Sequence, residues 1–73
     1  MVNEEYKKMG AKIKYYRQLL GQSQSVLADR VGISAQYLSR IECGRQMPSM
    51  QVLILIAENL NVNLAVLVSK DNV

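Results

Sequence analysis

The sequence has no histidine, a single cysteine and a single proline. Without histidine, it lacks the side chain best suited to proton transfer near neutral pH and the commonest metal ligand. Cys43 has no second thiol with which to close an internal disulfide. No carboxylate cluster and no glycine-rich phosphate loop is present to build a reactive pocket, so an enzyme is not expected, nor a cofactor or metal site. The longest apolar run, Val52–Ala57, falls far short of the ~20 residues that a membrane span requires. No charged-then-apolar signal segment opens the chain, and a cytoplasmic location is the expectation. Strand-like alternation, internal repeats and low-complexity segments are also missing.

What is there suits one small all-helical domain. In a chain of 73 residues no separate sensing domain is expected, and one of this size buries only about 60% of its unfolded surface. No small-molecule ligand is evident. The charge is unevenly placed. Residues 1–45 carry eight Lys and Arg against four Asp and Glu, whereas residues 46–73 carry only Lys70 against Glu58 and Asp71. The basic half and the apolar half are expected to do different work.

Helical periodicity predicts five helices. The first spans residues 4–20, with Tyr6, Met9, Ile13, Tyr16 and Leu20 as its inward stripe. Lys7, Lys8, Lys12 and Lys14 fall on its solvent side, and Glu4 and Glu5 favour its first turn. Gly10 is out of character and would serve if another helix came close. Gly21 stops this helix. Ser23 caps a second helix over 24–31, Ser34 a third over 35–42, Ser49 a fourth over 50–60 and Asn63 a fifth over 64–68. The inward stripe of the fourth is expected to be Met50, Leu53, Ile54, Ala57 and Leu60, with Asn61 as a left-handed stop. Met1–Asn3 and Lys70–Val73 are expected to be loose ends.

Between Ser23 and Gly44 the pattern is that of a helix-turn-helix. Gly32 makes the turn, and Leu27, Ala28, Val31, Ile33, Leu38 and Ile41 fall where two crossed helices share a core. Gln36, Ser39 and Arg40 are left outside, on a helix expected to enter a DNA major groove. Gln36 can donate to and accept from the adenine edge, and Arg40 can bind guanine O6 and N7 through two donors. Taken outside this motif, the same side chains are merely a solvated helix face.

The chain resembles the phage repressor and Cro-like helix-turn-helix proteins, the XRE-type family. The resemblance rests on Leu20-Gly21, Ser23-Gln24, Leu27-Ala28, Val31-Gly32-Ile33-Ser34, Leu38, Ile41-Glu42, Gly44, Pro48-Ser49, Leu53, Ala57, Leu60, Val62 and Leu64, and covers about residues 6–67. It implies a compact five-helix bundle of the lambda-repressor type with the third helix as the reading element. It also implies a sequence-specific transcriptional regulator that binds a palindromic operator in double-stranded DNA as a homodimer. The DNA-facing positions implied are Gln24, Ser34, Ala35, Gln36, Tyr37, Ser39, Arg40 and Arg45. Among them Gln24, Tyr37 and Arg45 match positions near phosphate, although the Tyr37 ring has the alternative of packing against the second helix. Arg17 and Glu42 match a family pair that ties the first helix to the end of the third.

Val26, Cys43, Leu55 and Val66 stand where family members usually carry polar or acidic residues. The apolar surplus at the C-terminal end exceeds what one small core covers. Leu55, Ala65, Val66 and Val68 are therefore the expected dimer surface, against the plainer reading of a broad core with scattered surface apolars. An interaction module that keeps the fold but not specific DNA binding, antitoxin-like or partner-binding, is the second reading.

Overall fold

The computed structural model describes residues 4–69, so the expectations for Met1–Asn3 and Lys70–Val73 fall outside the described residues. Five helices form: α1 (Glu4–Leu19), α2 (Gln24–Val31), α3 (Ala35–Glu42), α4 (Met50–Leu60) and α5 (Leu64–Val68). No strand occurs among the described residues.

Local chemistry sets the boundaries. Ser23, Ser34 and Ser49 each accept a hydrogen bond from a backbone N–H three residues on, at 3.1, 3.0 and 3.2 Å. Asn63 accepts from the Ala65 N–H at 3.1 Å. Each cap satisfies a donor that the first helical turn leaves unpaired. α1 ends at Leu19, and the Gln22 N–H returns to the Arg17 carbonyl at 3.2 Å to close it. α4 ends at Leu60 and is capped by Asn61, whose φ of 58° places it in the left-handed region, where asparagine is among the few side-chain-bearing residues tolerated.

Every helix contributes to one core. Ile13 of α1, Leu27 of α2, Leu38 and Ile41 of α3, Leu53 and Ile56 of α4 and Leu67 of α5 are sealed from solvent. Burying each such side chain is worth about 1.5–3 kcal/mol against exposure. α3 packs against α1 and α2, α2 also against α4, and α5 against α4 and α1.

Two inward stripes differ from the sequence expectation. On α4 the buried positions are Leu53, Ile56, Ala57 and Leu60, while Met50 is 60% and Ile54 40% exposed. Six consecutive apolar residues give no phase of their own, and the bundle selects Ile56 over Ile54. On α1, Leu20 lies beyond the helix end and is exposed. Its inward place is taken by Arg17, one turn after Ile13 and buried. Lys12 differs too. It is half-buried, and its Nζ donates to the Ser69 carbonyl at 2.7 Å, tying α1 to the end of α5.

Gly10 is where α1 meets the end of α3. A methyl group there would run into the Ile41 carbonyl oxygen and would lie 2.7 Å from that of Glu42. The absence of a side chain therefore lets two helix backbones touch.

Candidate nucleic-acid interface

α3 is positioned from both ends. Gly32 turns the chain at φ 84°, a conformation that favours glycine, and Ser34 starts the helix on the far side. Leu38 and Ile41 are then held in the core with no exposure. Their burial turns Gln36 and Arg40 to solvent, with Ser39 half-buried between these two faces. Ala35 is also half-buried and packs against the core, as does the Tyr37 ring. Ser34 is exposed, with its hydroxyl engaged by the Tyr37 N–H.

The C-terminal end of α3 brings Arg45 back towards the same helix. The Arg45 N–H donates to the Arg40 carbonyl at 2.9 Å and the Gly44 N–H to that of Ile41 at 3.0 Å. These two bonds close a Schellman motif, with Gly44 left-handed at φ 75°. Arg45 is exposed.

Beneath this face lies a buried polar network. Arg17 Nε donates to Glu42 Oε2 at 2.7 Å and Arg17 Nη2 to Glu42 Oε1 at 3.0 Å. Arg17 Nη1 donates to the Gln22 carbonyl at 2.7 Å. Gln24 Nε2 adds a third bond to the carboxylate, to Oε1 at 2.9 Å. The first turn of α2 is thereby fixed to the last turn of α3. With the Glu42 charge compensated by Arg17, the exposed Arg40 and Arg45 leave this face positive. The amide of Gln24 is half-buried and tethered rather than free in solvent. Its second N–H and the open N-terminal turn of α2 remain suited to an anion.

Two features of the site escaped the sequence. The Gln22 carbonyl serves Arg17, which no side-chain pattern encodes. Arg40 lies over the Tyr37 ring, Cζ 5.9 Å from its centroid, a contact that the i, i+3 spacing on one helix permits. Val26 and Cys43 are both exposed, and nothing in the structure explains their apolar or soft character.

The expected second surface is mixed. Ala65 and Val68 are exposed, while Leu55 and Val66 are half-buried. Leu55 packs partly against the core. Val68 also borders an apolar groove with Tyr6, Met9, Met47 and Leu67. Among the described residues no cluster of His, Cys, Asp or Glu can hold a metal, and no helix is long and apolar enough to cross a membrane.

Comparison with known proteins gives a consistent result. Residues 13–67 match the helix-turn-helix family HTH_3. The ImmF control region 10 kDa protein of Bacillus phage phi105 is 44% identical over 61 residues, 84% of this chain and 68% of that protein. The HTH-type transcriptional regulator SinR of Bacillus licheniformis is 38% identical over 65 residues, 88% of this chain but only 59% of SinR. A crystal structure of the biofilm regulator SinR in complex with DNA superimposes with a TM-score of 0.79 at 39% identity, over 84% of this chain and 98% of that one.

Proposed function

The chain belongs to the helix-turn-helix family and is a DNA-binding transcriptional regulator of the XRE type, and from that premise we propose that it reads a palindromic operator as a homodimer with α3 in the major groove. The observation that carries this is the division of α3. Leu38 and Ile41 are sealed in the core, so Gln36 and Arg40 are presented together on the opposite side, with the Arg45 backbone tied to that of Arg40 by the Schellman turn.

In this reading Arg40 donates to guanine O6 and N7, and Gln36 meets an adenine edge. Ala35 offers a methyl, and Ser39 accepts or donates. Ser34, Tyr37, Arg45 and Gln24 border the phosphates, whose neutralisation supplies much of the affinity. SinR, whose DNA complex superimposes on this fold, supports the placement of α3.

Leu55, Ala65, Val66 and Val68 form the two-fold contact, which sets the two reading helices about one turn of DNA (~34 Å) apart. The protein works in the cytoplasm in this reading.

The test is a titration of the full chain against duplexes selected from a random DNA pool, and against scrambled duplexes, over a salt series. Preferential binding to the selected duplex is expected, with affinity falling steeply as salt rises. Equal affinity for both sequences would remove the specific-reading claim.

A further inference from the structure

We propose that Tyr37 is a specificity-determining positioning residue, a shelf that orders the Arg40 guanidinium before DNA arrives. The proposal rests on the reading that Arg40 faces bases.

Three observations carry it. The ring lies under the guanidinium, with Arg40 Cζ 5.9 Å from the ring centroid. The ring is itself fixed, being half-buried and packed against the hydrophobic core. Arg40 is exposed and pairs with no carboxylate among the described residues, because Glu42 is committed to Arg17 and Gln24. The ring is thus placed to steady an otherwise unpaired cation, at the outer reach, about 6 Å, of a cation–π contact.

The chemistry of the two contacts is compatible. A guanidinium over an aromatic ring engages it through its own face and charge, and arginine is well suited to such stacking. Its hydrogen bonds to guanine use the N–H edge, in the plane of the group. Resting on Tyr37 therefore leaves the reading edge available. An arginine already ordered loses less rotamer freedom when it binds, which favours the complex that uses its full two-donor geometry. A mismatched base does not use that geometry, so the gain appears as discrimination.

This role differs from a phosphate contact, which needs the hydroxyl of Tyr37 and none of its ring. The two are separated by changing one part at a time. The experiment measures binding of the full chain to its pool-selected duplex, and to the same duplex with the guanine read by Arg40 replaced by adenine. Tyr37→Phe keeps the shelf and is expected to hold the preference within about twofold, while Tyr37→Leu is expected to lower it about two- to fivefold per half-site with an unchanged salt slope. In an Arg40→Ala background, Tyr37→Leu should cause no further loss of preference.

Full preference in Tyr37→Leu overturns the proposal. So does a loss in Tyr37→Phe equal to that in Tyr37→Leu, which assigns the role to the hydroxyl. If Arg40→Ala keeps the preference unaltered, base reading by Arg40 is what fails, and the shelf fails with it. A second readout needs no destabilised variant. In the free protein the side-chain protons of Arg40 should be shifted upfield by the ring in proton NMR, in wild type and Tyr37→Phe alike. Arg40 signals at unstructured positions would overturn the proposal independently.

Discussion

Arg17 and Glu42 face one another across the α1–α3 contact as a buried two-point ion pair, Nε to Oε2 at 2.7 Å and Nη2 to Oε1 at 3.0 Å. Each residue is only 7% exposed. A pair this enclosed does not behave like a surface salt bridge, and removing one member leaves a buried charge alone. Arg17→Met or Glu42→Leu alone should cost about 3–5 kcal/mol, whereas the double substitution should be close to neutral or stabilising. Urea unfolding of the three variants measures this. For a chain of this size the single changes remove much of a total stability of roughly 4–11 kcal/mol, so the double variant is the decisive one. A double variant as unstable as either single would show that the pair itself, not the orphaned charge, holds the helices together.

Gly10 supplies a second test of the same contact. Alanine favours an isolated helix over glycine by about 1 kcal/mol. In this protein its methyl would meet the Ile41 and Glu42 carbonyls, which belong to backbone and cannot swing aside. The clash is expected to outweigh the propensity gain, leaving Gly10→Ala less stable by about 1–3 kcal/mol. Each 1 kcal/mol corresponds to a fall in Tm of about 4–8 °C. A thermal melt that moves upward instead would mean that α1 and α3 lie further apart than described.

How much of this was legible in the sequence depended on whether the deciding interaction is local. Ser23, Ser34, Ser49 and Asn63 act on their own helices, and all four were readable as caps. The Gly10 contact was readable only as an anomaly, since its partner lies on α3, more than 30 residues away. The phase of α4 was not readable, because Val52–Ala57 is apolar throughout and only packing against α2, α5 and α1 chooses its face. The expectation of an Arg17–Glu42 pairing came from family resemblance. Its burial follows from the close approach at Gly10, and charge spacing does not encode it. Arg40 over Tyr37 is a local contact at helical spacing. The spacing permits it but does not select it, because the same Tyr37 ring can equally pack inward or face phosphate.

Arg40 and Arg45 carry like charges joined through one backbone hydrogen bond, yet the proposed roles make them respond differently. Arg40 ends on a base, so Arg40→Ala should relax preference at one position of the half-site by about 1–3 kcal/mol. Arg45 ends on phosphate, so Arg45→Ala should weaken selected and scrambled duplexes equally and reduce the salt slope by about 1. Fluorescence anisotropy with both duplexes at several salt concentrations separates the two. Identical behaviour of the variants would mean that α3 lies along the backbone and not in the groove.

The palindromic reading depends on the apolar end of the chain. Val66 is half-buried and Val68 is 48% exposed, so neither is needed to seal the core as Leu67 is. A charge at Val68 costs little in the monomer, where water still reaches it, but a great deal in a contact that excludes water. Val68→Glu should therefore leave the thermal melt of dilute protein nearly unchanged while shifting sedimentation from dimer to monomer. DNA binding supplies the second readout. A monomer still reads one half-site, so Val68→Glu should retain sequence preference on a single half-site duplex and lose the gain that a second half-site gives the wild type. That gain arises because linking two binding events makes the second effectively intramolecular. A wild-type chain that sediments as a monomer at high concentration, and gains nothing from the second half-site, would show that α5 does not pair two copies and that each α3 acts alone.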